Sequence, residues 1–423
     1  MSKPPTPSPP RPKKADPKKG RGIQCLQAQL KGALPFRYYV GGFNGVQLLT
    51  GIFSAMGWEQ LVQSPGGVSD TGYRLKWCEK ASEIDFRAFK EGKQLVSRNP
   101  GMTCVTDKLD MVRSLLRFHA VATGGRDRRP GWLLRLWDYI PETFELDSAK
   151  GRAEFYAAVA ADPAAQWICK PAGLACGAGI FLVPDGPKHA AQLEAQEASR
   201  NGIFSSQPRI MQRYLAAPLL LNGRKFDLRS YMLVASAKPV IGLRGASYCR
   251  LSVEEYSGAD MGNLAAHLTN QSVQKKHPRY KQMQEETTWT MAQLNDYING
   301  TDTLREAAGC RDWALDVLPV KIQAIMKHVL GAIEGNGSLV EKIGVFDLLG
   351  LDFMVDEAFN VWLIEVNTNP ALHTNCSALK AVIPPTVKSA IDIVMDIFGR
   401  QTRREPALPI TCDLGAFELL ETT

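Results

Sequence analysis

The sequence predicts an α+β fold in several lobes, and three observations carry that prediction. The chain has 423 residues, too many for one compact core. Strand-like and helix-like segments intermix without strict alternation and without an internal repeat, which favours mixed or antiparallel sheets. The segment Asp347–Pro370 reads as two apolar strands joined by a short turn.

Composition narrows the class. With 45% apolar and 22% charged residues, the chain resembles an ordinary globular protein, which excludes wholesale disorder, a collagen-like fibre and a coiled coil. The longest apolar run, Met232–Leu243, is interrupted by Lys238 and Pro239, so no membrane association is expected. The start, MSKPPTPSPPRPKK, lacks the apolar core of a secretory signal. Nine cysteines lie singly with no CxxC pair, as expected for reduced thiols in the cytoplasm. Residues 1–31 carry eight basic side chains against Asp16 alone, so the whole net charge of +7 belongs to that segment. A Pro- and Lys-rich tail over 1–34 is expected to be disordered. It suits either an anionic partner, such as nucleic acid or an acidic protein surface, or a plain solubilising leader.

The ordered elements follow in sequence. A lobe over 35–106 opens with a strand in Phe36–Gly42. Asn44 is placed to cap a helix through about Trp58, with Val46, Leu49, Ile52, Phe53 and Met56 on one face, and Tyr73–Cys78 alternates like a second strand. Gly124–Gly131 reads as an exposed loop. A central lobe over 107–208 contains a helix near Ser148–Ala161, strands at Trp167–Lys170 and Ile180–Pro184 around a glycine-rich turn, and a helix over Lys188–Arg200. A third lobe over 209–402 begins with a strand at Arg209. It holds the strand Lys225–Leu233, a long helix around Pro319–Glu334, the hairpin, and a helix from Thr386 with Val387, Ile391, Val394 and Phe398 as its apolar stripe. Residues 403–423 form an extension.

The hairpin is the most informative segment. If Asp356 pairs with Val361, Asp352 falls opposite Glu365, and Asn367 points to the same face. Two carboxylates facing each other are destabilising in an ordinary sheet. A hard cation such as Mg²⁺, which takes oxygen ligands, explains them; a solvated polar face is the alternative. Around Lys170, Gly173, Gly177 and Gly179 would let backbone N–H groups approach phosphate oxygens, although a tight hairpin gives the same pattern. Arg224–Tyr231 sets Lys225, Asp227 and Arg229 on one strand face, fitting either a phosphate site or an ion-pair ladder. Arg250 and the polar stretch His267–Lys276 are, taken singly, ordinary surface features. There is no GxSxG, HExxH or Walker A motif.

Lysine before a glycine loop, then QRYL, KFDLRSY, YCR, LTNQS and a distal D…EVN stand in this order from Lys170 to Asn367. The set resembles the ATP-grasp ligases and, within them, the tubulin–tyrosine-ligase-like family. The ending EVNTNPALHTNC, with WICKP, looks most similar to the protein polyglycylase branch. The resemblance implies an ATP-grasp-like fold with nucleotide bound between the central and C-terminal lobes. It implies ATP and two Mg²⁺ ions as cofactors. Lys170 and Lys225 would touch the phosphates, with Gly177, Gly179 and Ile180 in the loop over them. Gln212, Arg213, Tyr214 and Leu215 would form the adenine hinge, and Asp227 would bind the ribose or orient Lys225. Asp352, Glu365 and Asn367 would hold metal. Arg250, Thr269, Asn270 and one of Lys275 and Lys276 would face the γ-phosphate and the amino-acid pocket, making Arg250, Lys170 and Glu365 the catalytic set. The implied reaction adds free glycine to glutamate side chains or glycine chains on tubulin C-terminal tails or other acidic proteins, through an acyl phosphate. The implied setting is a monomer on the cytoskeleton or the axoneme of a cilium, and nucleic acid is not expected as a partner. A polyglutamylase, a small-molecule ligase of the same fold and a catalytically silent microtubule binder are the alternatives. The loop LACGAGI supports the last of these, because Cys176 and Ala178 stand where the family commonly has a basic or polar residue.

Overall fold

The computed structural model describes residues 36–62, 72–124, 131–174, 177–198 and 208–421. The basic tail, most of the Gly124–Gly131 loop and Cys176 lie outside them. Three sheets organise the rest, giving the mixed helix and strand architecture expected.

The first is wholly parallel, in the order β2-β1-β3-β4, with β1 at Arg37–Val40, β2 at Glu59–Gln60, β3 at Leu75–Trp77 and β4 at Leu95–Val96. Helix α1, Val46–Ala55, connects β1 to β2 and buries Leu49 and Phe53. Asn44 does not cap it. Gly45 precedes the helix in a left-handed conformation (φ 69°), and the helix has no side-chain cap. The Asn44 amide instead donates to Asn369 Oδ1 (2.9 Å) and to the Pro370 carbonyl (2.8 Å), and it accepts from Leu372 N (2.8 Å). The cap residue is spent on holding a loop more than 300 residues away.

Helix α2, Lys108–Thr123, starts under an Asp107 side chain that accepts from Leu109 N and Asp110 N. The second sheet is antiparallel, in the order β5-β8-β6-β7: β5 is Thr143–Glu145, β6 Trp167–Pro171, β7 Phe181–Val183 and β8 Arg209–Arg213. Sequence reading counts Arg209 with the following lobe, but β8 takes its backbone partners from β5 and β6. Helix α3, Ala149–Ala161, capped by Ser148, and helix α4, Gly186–Ala198, contact each other, and α3 packs beside β5.

The third sheet is the largest. Its main path is β12-β11-β10-β13-β14, all antiparallel, with β10 at Arg224–Ala237, β11 at Val240–Leu251, β12 at Thr288–Thr290, β13 at Asp347–Val355 and β14 at Val361–Asn367. The short β9, Leu220–Leu221, pairs with β10, and β15, Glu418–Leu420, pairs with β11. One face of this sheet, with Phe226, Leu228, Met232 and Val234 of β10, packs against α5, Leu318–Glu334, and α2. On the other face, Tyr231, Leu233 and Ala235 pack with the first sheet, α1 and α6, Ser377–Thr402. Side chains alternate along a strand, so Lys225, Asp227 and Arg229 continue this second face beyond its apolar half. The three charged residues thus occupy one end of a face whose other end is apolar core.

Helix α6 begins nine residues before the expected Thr386 and runs through Pro384 and Pro385. Each proline removes a helical N–H donor. Leu379 and Ile383, both buried, extend the stripe of Val387 and Ile391 at i+4 spacing, and that burial outweighs the lost bonds.

Candidate active site

A cleft opens between the second and third sheets. Its lining includes Lys170, Ile180, Gln212, Arg213, Tyr214, Leu215, Lys225, Asp227, Thr269, Asn270, Asp352 and Glu365, all singled out from sequence, together with Ile168, His267, Leu268, Met354 and Ile364. Residues nearly 200 positions apart meet here because β6, β8, β10, β13 and β14 all present one end to the same space. Ile168, Tyr214 and Leu268, with Ile180 against them, form an apolar wall.

The charged side of the cleft is a network. Arg250 grips Asp227 in a fork, Nε to Oδ1 and Nη2 to Oδ2, both 2.6 Å, and also reaches Asp352 Oδ2 at 2.8 Å. Arg229 grips Asp352 in the same way, at 2.5 and 3.1 Å. Thr269 Oγ1 donates to Asp227 Oδ2 at 2.5 Å. Burial pushes the Asp352 carboxyl up, but Arg229 and Arg250 overcome it and hold the group well below the usual carboxylate range. These pairs form the ion-pair ladder, one of the two alternatives that the sequence left open. They also change the argument for a cation, because protein cations already neutralise Asp352. Arg250, expected to face substrate, is buried behind the lining with its guanidinium engaged on two carboxylates.

Asn367 Nδ2 lies 3.3 Å from both Asp352 Oδ2 and Glu365 Oε1, so the three hairpin side chains converge as the register predicts. Glu365 faces Lys108 at 3.5 Å, and Lys108 Nζ also donates to the Leu174 carbonyl at 2.7 Å. The donor set is all oxygen once the Asn367 amide turns over, and Glu365 keeps acceptor capacity. That chemistry fits a hard divalent ion completed by water and phosphate.

Opposite stand two buried lysines. Lys170 Nζ donates to Gln212 Oε1 at 2.6 Å, and Lys225 Nζ donates to Tyr214 Oη at 2.8 Å. Burial pushes Lys170 down to about 8; Glu365 opposes the shift and Lys108 adds to it. Burial, and then Lys170, push Lys225 down to about 7 against Asp227. Two lysines depressed by burial in one cleft make it a candidate functional site. In the hinge, Arg213 N and Tyr214 N are bonded to the Glu142 and Gln166 carbonyls, and the Arg213 side chain turns away to Glu142 and Asp162. Gly177 and Gly179 are left-handed (φ 75° and 69°), and a Cβ on Gly177 would come within 3.2 Å of Val273.

Sequence reasoning missed Lys108 and His267 and gave Arg229 no specific role. Lys108 carried a signal. A cation in the first turn of a helix opposes the helix dipole, and such a local conflict marks a functional position.

Residues 90–403 match the profile described as the Tubulin-tyrosine ligase family. The chain belongs to this family. Protein polyglycylase TTLL10 of Mus musculus is 38% identical over 390 residues, covering 90% of this chain and 54% of that protein. Inactive polyglycylase TTLL10 of Homo sapiens is 36% identical over 414 residues, covering 89% of the chain and 59% of that protein. Probable alpha-tubulin polyglutamylase Ttll1 of Tetrahymena thermophila is 27% identical over 372 residues, covering 82% and 83%. The chain spans little more than half the length of the polyglycylase relatives that it matches. No helix among the described residues is long and apolar enough to cross a membrane.

Proposed function

We propose that this chain is an ATP-dependent carboxylate–amine ligase that adds glycine to glutamate side chains or growing glycine chains on acidic protein tails, those of tubulin foremost. The observation that carries the reading is the cleft itself: buried Lys170 and Lys225 face the converging Asp352, Glu365 and Asn367. Lys170 and Lys225 hold the ATP phosphates, the 212–215 hinge and its apolar wall take the base, and Thr269 and Asn270 border the ribose and the γ-phosphate. Asp352, Glu365 and Asn367 hold Mg²⁺, which supplies charge neutralisation for phosphoryl transfer. The acceptor carboxylate attacks the γ-phosphorus and ADP leaves. The glycine amine then attacks the acyl carbon, expelling phosphate and giving up a proton. No nucleophilic side chain is required; positioning and electrostatics suffice. Arg250 and Arg229 act by fixing Asp227 and Asp352. The setting that follows is a cytoplasmic monomer acting at the cytoskeleton, including the ciliary axoneme.

A second reading, a catalytically silent member, is favoured by the human relative, which is named Inactive polyglycylase TTLL10. Mass spectrometry of an acidic tail peptide, incubated with the chain, ATP, Mg²⁺ and either glycine or glutamate, separates the readings. A mass gain of one or more glycine residues supports ligation. A gain of glutamate residues indicates a polyglutamylase, and no gain beside measurable ATP binding indicates the silent form.

A further inference from the structure

One hydrogen-bonded chain in the cleft runs from Lys225 and Tyr214 to His267, a residue that the chemistry above does not use. Lys225 Nζ donates to Tyr214 Oη at 2.8 Å, Tyr214 Oη lies 2.6 Å from His267 Nδ1, and His267 Nε2 lies 2.8 Å from the Asp260 carbonyl. A carbonyl only accepts, so Nε2 carries a proton; burial pushes the ring below the ordinary histidine value, which keeps it neutral and leaves Nδ1 as an acceptor. Tyr214 therefore donates to His267, and its oxygen lone pairs are turned toward the lysine. The chain runs one way, from ammonium to backbone, and ties the hinge, β10 and the 260–270 segment together.

A lysine carries its charge on a flexible four-carbon stem and needs an anchor to present it at one point. The carboxylate that acts on Lys225 is Asp227, two residues on and on the same strand face. Arg250 and Thr269 already occupy both oxygens of Asp227. Tyr214 supplies the hydrogen-bonded hold, with the ammonium 4.4 Å from its ring centre as well, and the Tyr256 ring centre is 5.6 Å away. His267 is 2% exposed and packs edge-on against Tyr256, so it has little freedom to leave.

We propose that His267 is a positioning residue: acting through the Tyr214 hydroxyl, it aims Lys225 Nζ at the phosphate end of a nucleotide in the cleft, an inference that rests on the nucleotide reading above. Calorimetry on the full chain with Mg²⁺, using a non-hydrolysable ATP analogue and adenosine as paired ligands, tests it. His267→Ala is expected to weaken the analogue about tenfold, the scale of one buried hydrogen bond, while adenosine changes less than about twofold. Tyr214→Phe should show the same selectivity. His267→Asn, which keeps an acceptor near the Nδ1 position, should recover most of the loss. Equal losses for both ligands, an unchanged analogue affinity in His267→Ala, or no recovery in His267→Asn would overturn the assignment. A wild-type chain that bound neither ligand would overturn the nucleotide reading and this inference with it, which keeps the two failures distinct.

Discussion

Asp352 and Glu365 stand directly opposite each other across β13 and β14, although the turn between those strands closes one residue out of that register. From the turn, Val355 pairs with Val361, Met354 with Trp362 and Phe353 with Leu363; Ile364 is then an extra residue before Asp352 meets Glu365. A bulge of this kind re-aims a strand. Here it sends both Ile364 and Glu365 into the cleft. In uninterrupted register Glu365 would lie opposite Leu351, on the face that packs against α5.

That relationship gives the first prediction. Glu365→Gln keeps shape and bulge but removes the anionic oxygen best placed for a metal. Ligation should fall by about a hundredfold, the upper scale for losing metal support. The thermal midpoint should change little, because the group is part exposed and its one ion pair, to Lys108, is 3.5 Å long. Parental ligation in this variant would sink the metal assignment.

The second prediction follows from Lys170 and Lys225, which burial pushes down to about 8 and about 7. Bound phosphates restore their charge, so ATP binding near pH 8 should take up protons. Affinity should fall as pH rises through 7 to 8. Calorimetry in buffers of different ionisation enthalpy reads the uptake directly. For the free chain the sign is reversed. The unfolded lysines titrate near 10.4, so the unfolded state holds more protons from about pH 7 to about 10. These two groups therefore make stability rise with pH across that window. Zero proton uptake at pH 8 would remove Lys225 and Lys170 as phosphate ligands.

The third concerns Arg98, which is buried and joins the first sheet to the hairpin and the loop after it. It reaches Asp347 Oδ1 at 3.3 Å and donates to Asn369 Oδ1 at 2.9 Å. Burial already pushes Asp347 up to about 7, against Arg98 and the Asn99 N–H. Arg98→Ala leaves that carboxyl without its cation, and about 3 kcal/mol of stability should be lost. A urea melt checks this; a loss under about 1 kcal/mol would show that the pair is dispensable.

Much of the third sheet was legible because its signals are local: alternation along Lys225–Leu233 and the turn residues Asp356–Asn360. The hairpin register at the site was reached from a turn pairing that does not occur. Asp356 N bonds Asn360 O rather than Val361 pairing with it, and the bulge at Ile364 restores the offset. The partners of Lys108 and the Tyr214 partner of His267 were hidden because they are distant in sequence; Lys108 meets Leu174 and Glu365 only in the fold. Asn44 misled for the same reason, since a capping residue beside a helix looks alike whether it caps or reaches across to Asn369.

The fourth prediction uses the charge of the first 31 residues, which carry the whole net +7. Removing them should weaken binding to polymerised tubulin and flatten its salt dependence, while ATP affinity stays within about twofold, because the nucleotide elements lie well beyond them and exposed charges are screened within about 10 Å at 0.1 M salt. Co-sedimentation at several salt concentrations checks it, and identical salt slopes with and without the segment would reject an electrostatic role.

The last prediction concerns amino-acid choice. Glutamate entering as the nucleophile brings a side-chain carboxylate that needs a cation or a set of donors, whereas glycine needs only its amine free and its α-carboxylate held. The loop that follows Asn367 offers little to a second carboxylate. The Asn369 amide oxygen is bonded to Asn44 and Arg98, which turn it toward the first sheet. Burial, with Lys275 nearby, pushes the His373 ring below the ordinary histidine value, so it is neutral at pH 7. Arg250 is spent on Asp227 and Asp352. A buried carboxylate without a partner costs several kcal/mol, enough to disfavour glutamate by more than about a hundredfold. Lys275 is exposed, and its effect on the His373 ring places it near enough to this loop to swing in. Competition between labelled glycine and labelled glutamate on one acidic tail peptide, run with the parent chain and with Lys275→Ala, should give preferential glycine incorporation in both. Preferential glutamate incorporation in the parent that disappears in Lys275→Ala would make Lys275 the side-chain anchor and the chain a polyglutamylase. Preferential glutamate incorporation in both would mean that another cation reaches the pocket, and the glycine assignment would fall.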